Sequence, residues 1–189
     1  GTDVFKTNFS ARQQAFLDTD PGSLTSDGLG ADRVDYLRGD NSNEGSNGHN
    51  WRIRTTSSLG DFINSSPIYV RFPSTTDIPS ADLATFKTYV TNVKSRTPML
   101  YVGGNDGMLH AFYAETDLTK TTTVGGSQVP VAAREAWAFV PTAIMPEMPR
   151  LASTEYESTH RYFVDGSPVQ ADVKDGETWK TILIGGFNK

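Results

Sequence analysis

The chain has 189 residues, no cysteine, and 17 basic against 22 acidic side chains, for a net charge of −5 with histidine neutral. That excludes a cysteine nucleophile, a thiolate metal site and a disulfide scaffold, and it excludes the basic footprint that a duplex nucleic-acid binder needs. No apolar run approaches the ~18 residues of a membrane-spanning helix, while 11% aromatic residues with 17 Gly and 10 Pro favour strands and turns over disorder or a helix bundle.

Residues 1–57 read as a polar, irregular segment. The stretch from Asp18 to Gly30 is loop material, Ala31–Leu37 a short helix, and Arg38 to Gly48 a second loop. The opening at Gly1 rather than Met suggests that an N-terminal segment has been removed. Residues 58–189 have a different character. Ser66–Val70 reads as a strand whose start is marked by Pro67. Ser80–Lys94 reads as an amphipathic helix with Ser80 as N-cap and Leu83, Phe86, Val90 and Val93 as its apolar face. Met99–Val102 and Met108–Ala114, joined by the Gly103–Gly107 turn, predict a hairpin. Residues 115–133 are expected to be a Thr/Gly-rich loop, Glu135–Val140 a strand, and 141–159 a loop. Arg161–Val164, Val169–Val173 and Trp179–Ile184 complete the expected strands.

An internal repeat organises this second part. Phe62-Ile-Asn-Ser-Ser-Pro-Ile68 matches Phe163-Val-Asp-Gly-Ser-Pro-Val169, and each copy runs into an apolar strand ending in Gly-Gly. The first copy, enlarged by loops and the 80–94 helix, predicts one complete blade of a β-propeller. The second copy stops at Asn188-Lys189 and predicts a truncated blade of the same larger domain. A propeller closes with about four to eight blades, so the parent protein is expected to be longer. The fold class is thus all-β with one or two short helices, in incomplete propeller blades.

Two groups of residues invite a binding role. Arg38-Gly39-Asp40 has the chemistry of an adhesive tripeptide: its carboxylate can ligate a receptor's hard divalent ion and its guanidinium can pair with a receptor carboxylate. The alternative is a structural role in which Arg38 pairs with Asp35 or Asp40. Asp18, Asp20 and Asp27 are candidate calcium ligands, since nearby oxygens suit that ion, although Pro21 and Gly22 interrupt the loop spacing. No catalytic residue is expected. Asn105 and Asp106 read as turn formers, His110 as a core or edge residue, and Trp137 and Trp179 as packing between blades. Ser66 and Ser167 precede proline outside any Gly-x-Ser-x-Gly setting.

Five segments occur in an order that resembles a known family. They are Val34–Asp40, Leu59–Pro67, Arg96–Phe112 (with Tyr-Val-Gly-Gly-Asn-Asp-Gly-Met-Leu-His-Ala-Phe at its end), Glu135–Pro141 and Arg161–Pro168. Together they resemble the C-terminal propeller of the PilY1/PilC family of type IV pilus tip proteins. The resemblance implies a non-enzymatic adhesin and biogenesis factor supporting pilus assembly, retraction control, surface attachment and host-cell adhesion. It implies minor pilins and the tip complex as partners, an integrin-like host receptor, and export through periplasm and outer membrane to the pilus tip. The family's calcium loop, an Asp-x-Asp-x-Asp/Asn pattern, lies outside this segment, so calcium is expected in the full-length domain. The edge loops 13–57 and 115–133 are expected recognition surfaces. Two alternatives share the blade motif: a quinone-dependent dehydrogenase with pyrroloquinoline quinone and calcium, and an outer-membrane assembly scaffold.

Overall fold

The computed structural model describes residues 2–187; Gly1 and Asn188–Lys189, where the second repeat breaks off, lie outside the described residues. The N-terminal segment is not irregular, contrary to expectation. It holds α1 (Thr2–Asn8), α2 (Ala11–Leu17) and the expected α3 (Gly30–Leu37). The signal for α2 is local. Ser10 Oγ accepts the Gln13 amide at 3.4 Å and Gln13 Oε1 accepts the Ser10 amide at 2.9 Å, a capping box that satisfies two orphan donors. Asp18 Oδ1 then accepts the Gly30 amide at 2.7 Å and ties α3 to the end of α2.

Pro67 cannot donate to a ladder, and β1 (Ile68–Val70) starts just after it. The helix that follows is preceded by a 3-10 turn, Ser80–Asp82, so Ser80 is not its N-cap; α4 spans Leu83–Val93 with Asp82 at the cap position and no side-chain cap bond. Strands β2 (Met99–Gly103) and β3 (Leu109–Tyr113) form the expected hairpin. The 115–133 region is a correction. It contains β4 (Thr121–Val124) and β5 (Ser127–Pro130), paired across Gly125-Gly126 with φ of +56° and +82°. Two successive left-handed residues are what a tight hairpin turn demands, and glycine adopts them at no steric cost. Strand β6 (Glu135–Phe139) completes a four-stranded antiparallel sheet of order β1-β2-β3-β6. The register aligns Ile68, Tyr101, Ala111 and Trp137 across one face.

The second sheet is a hairpin of β7 (Val169–Asp175) and β8 (Thr178–Ile184). Arg161–Val164, expected as a strand, forms no strand; Phe163 packs into the main core instead. The two repeat copies lie side by side. The Asn64 amide donates to Asp165 Oδ1 at 3.2 Å, its side-chain amide to Oδ2, and the Ser66 amide to Ser167 Oγ at 2.8 Å. A Cβ on Gly103 would collide with the Val164 carbonyl oxygen, so this glycine lets the sheets approach. Equivalent segments docking on each other is the geometry of adjacent propeller blades.

The inserted α4 straps the blades together. Phe86 meets Trp179 of β8 edge-on at 4.8 Å, Trp179 Nε1 donates to Thr85 Oγ1 at 3.0 Å, and Lys174 pairs with Asp82 at 2.9 Å. On the far side of the second sheet, Val169 and Ile184 stay about half exposed.

The main core joins the N-terminal helices to the blade. Phe5, Leu17 and Val34 pack with Met108, Met148, Leu151, Tyr156 and Phe163. Met148, Leu151 and Tyr156 come from the 141–159 region, expected as a loop but folded as 3-10 helices Met145–Ala152 and Tyr156–Ser158. Pro146 and Pro149 forbid a regular α-helix there without preventing apolar side chains from turning inward. No helix among the described residues is long and apolar enough to cross a membrane.

Candidate functional site

Arg38-Gly39-Asp40 sits on the turn that ends α3, and all three residues are exposed. The turn is held by its backbone. Gly39 takes φ +104°, a region closed to most side chains. The Asp40 amide donates to the Asp35 carbonyl at 3.0 Å, and the Asp40 carbonyl accepts Arg54 Nη2 at 2.7 Å. Arg54 is itself fixed by Glu44 at 2.6 Å and lies 3.7 Å above the Tyr36 ring. The Asp40 carboxylate accepts the Ser42 amide at 2.7 Å, and hydrogen bonding from Ser42 holds its pKa below the ordinary carboxylate value. Among the described residues the Arg38 guanidinium has no hydrogen-bond or ion-pair partner; it pairs with neither Asp35 nor Asp40. A rigid backbone thus presents one cation and one anion to solvent.

The three candidate calcium ligands are each engaged by the protein. Asp18 caps Gly30, Asp20 accepts the amides of Gly22 at 3.1 Å and Ser23 at 2.7 Å, and Asp27 forms an ion pair with the buried Arg33. Hydrogen bonds from Ser23 lower the Asp20 pKa. Burial pushes Asp27 up, but the Arg33 hydrogen bond, the Leu29 amide and the Arg33 charge together outweigh it and the net shift is downward. Among the described residues no group of three or more His, Asp or Glu is arranged to hold a metal ion.

A second constellation was not expected from the sequence. His110 is 2% exposed and lies between two carboxylates from different elements. Its Nε2 is 3.0 Å from both Asp106 oxygens, in the β2–β3 turn, and its Nδ1 is 2.5 Å from Glu135 Oε1 on β6. Asp106 also accepts the amides of Gly60 at 2.7 Å and Met108 at 3.3 Å, so the turn-forming role expected for it holds as well. Burial pushes the imidazole pKa down, yet the hydrogen bonds and charges of Asp106 and Glu135 prevail and raise it. Each ring nitrogen faces a carboxylate oxygen, so the doubly protonated ring can donate to both. The missed signal was the four-residue spacing from Asp106 to His110 across a tight turn; Glu135 is brought in by a register shift between Ala111 and Phe112.

This trio lines a cavity of about 490 Å³ between α2, α3 and the four-stranded sheet. Met108, Met145 and Met148 form its walls and Arg38 borders it. The arrangement offers shape and charge for binding.

Comparison with known proteins bears on the family. The family described as the PilY1 β-propeller domain matches residues 59–189. The chain is 39% identical over 183 residues to the type IV pilus biogenesis factor PilY1 of Pseudomonas aeruginosa strain PAK, covering 94% of this chain and 14% of that protein. It is 34% identical over 186 residues to a PilY1 homolog of Xylella fastidiosa strain Temecula1, covering 96% of this chain and 14% of the relative. Among solved structures, the crystal structure of the Pseudomonas aeruginosa PilY1 C-terminal domain is 28% identical, with a TM-score of 0.38 over 61% of this chain and 19% of that one. The chain therefore spans a small part of the curated relatives it matches.

Proposed function

Because the chain belongs to the PilY1 β-propeller family, we propose that it serves type IV pilus biogenesis and surface attachment through protein contact rather than catalysis. The relatives' name, type IV pilus biogenesis factor, supports the pilus role. In this reading the protein is exported through the periplasm and outer membrane, sits at the pilus tip with minor pilins, and opposes retraction. Calcium belongs to the parent domain outside this segment.

The observation that carries a contact role is the presentation of Arg38-Gly39-Asp40. An exposed cation and anion on a backbone pinned by Arg54 lose little conformational freedom on binding, which favours recognition by a receptor such as an integrin-like protein. A single experiment tests both halves. Pili are sheared from cells making the wild-type protein or Asp40→Ala, alongside a strain lacking the major pilin, and attachment to host cells is scored. Both proteins are expected in the pilus fraction and absent from it without pilin, with attachment by Asp40→Ala reduced about tenfold or more. Recovery in the soluble periplasm instead would overturn the pilus placement. Undiminished attachment would overturn the adhesive role of the tripeptide.

A further inference from the structure

We propose that the methionine-walled cavity between the N-terminal helices and the four-stranded sheet binds an amphipathic carboxylate, with its aliphatic chain among the methionines and its head group on Arg38. At about 490 Å³ the cavity falls within the roughly 300–1,000 Å³ of small-molecule sites, and like them it combines apolar walls with a few convergent polar groups. Three of the four methionines in the chain line it. Flexible thioethers repack around an irregular aliphatic guest at low cost.

The charges that line the cavity select the head group. Asp106 and Glu135 are turned onto His110, and Asp106 additionally holds two backbone amides. Both carboxylates are therefore paired with the imidazole rather than turned to a guest. Arg38 is the reverse: exposed, bordering the cavity, and without a partner among the described residues. A guanidinium matches a carboxylate with two parallel hydrogen bonds. An aliphatic chain entering past Leu37 and Leu59 would leave its carboxylate at that rim.

The test is calorimetric titration of the protein with decanoate and, in parallel, with decanol. Saturable one-site binding of decanoate is expected. Arg38→Gln, a change at an exposed residue that leaves the fold intact by circular dichroism, is expected to weaken decanoate about tenfold while moving decanol less than twofold. Asp40→Ala, the variant that tests the adhesive reading above, is expected to leave decanoate binding unchanged, so the two readings fail separately. Location is read by energy transfer to cis-parinaric acid, which Trp137→Phe should lower more than Trp179→Phe because Trp137 borders the cavity and Trp179 does not. Absence of saturable decanoate binding, equal losses for acid and alcohol, an Arg38→Gln affinity matching wild type, or energy transfer indifferent to Trp137 would each overturn the proposal.

Discussion

His110 shows how one side chain can join a turn to a strand. As an imidazolium it satisfies Asp106 and Glu135 at once, and its folded-state pKa lies above the ordinary 6.5. The stabilisation is complete below the unfolded value and is lost as pH rises through the raised folded value. His110→Asn is therefore expected to cost about 2–3 kcal/mol near pH ~6, where two carboxylates lose their shared cation, and distinctly less near pH ~9. Urea unfolding at the two pH values measures this; an equal loss at both would refute it. Asp172 has the opposite sign. Burial raises its pKa, but hydrogen bonds from Thr181, Thr75 and Ser74 outweigh burial and lower it. Its contribution is present above the unfolded value of 3.8 and fades as pH falls through the depressed one. In the sequence His110 was readable only as an apolar-strand residue, because Glu135 lies 25 positions away and meets it through tertiary pairing.

At the scale of elements, α4 was legible and its purpose was not. Leu83, Phe86, Val90 and Val93 mark a helical face, yet no residue of α4 is fully buried. Its anchorage comes from Phe86 and Tyr89 against Trp179, with Tyr89 also meeting Thr181 at 2.5 Å. Trp179→Ala is expected to destabilise the protein by about 2 kcal/mol, below the cost of a fully buried tryptophan because Trp179 is only partly buried. It should also raise amide exchange across 83–93 while β2 and β3 keep their protection; unchanged exchange in the helix would refute the strap. The 3-10 region Met145–Ala152 illustrates the converse. Its prolines mark it as irregular, and only packing against α2 and α3 makes it part of the core.

For the whole molecule, the repeat is also the joint. Asn64 and Asp165 hold equivalent places in the two copies, and the 101-residue offset between them is bridged by two hydrogen bonds. Asp165 is 1% exposed while Asn64 is exposed, so Asp165→Ala removes a buried acceptor and leaves the Asn64 donors to water. A loss of about 1–2 kcal/mol is expected, read as a lower urea midpoint with an unchanged slope. A midpoint within error of wild type would show that the blades dock without this pair. The N-terminal helices add a second joint, since Phe5, Leu17 and Val34 share a core with Met108 of the blade and Phe163 of the second repeat.

The sequence by itself determined the blade class, the repeat, the β2–β3 hairpin and the exposed tripeptide turn. All of these rest on local signals: alternation, Gly/Asn/Asp turns, Pro67 before β1, and strings such as Tyr101–Phe112 that read in order along the chain. Tertiary structure alone decided that Asp106, His110 and Glu135 meet, that the polar N-terminal segment folds into core-forming helices, and that three methionines and Arg38 surround one cavity. Those arrangements depend on contacts between residues far apart in sequence. Short helices are marginal until packing supplies the apolar surface that stabilises them.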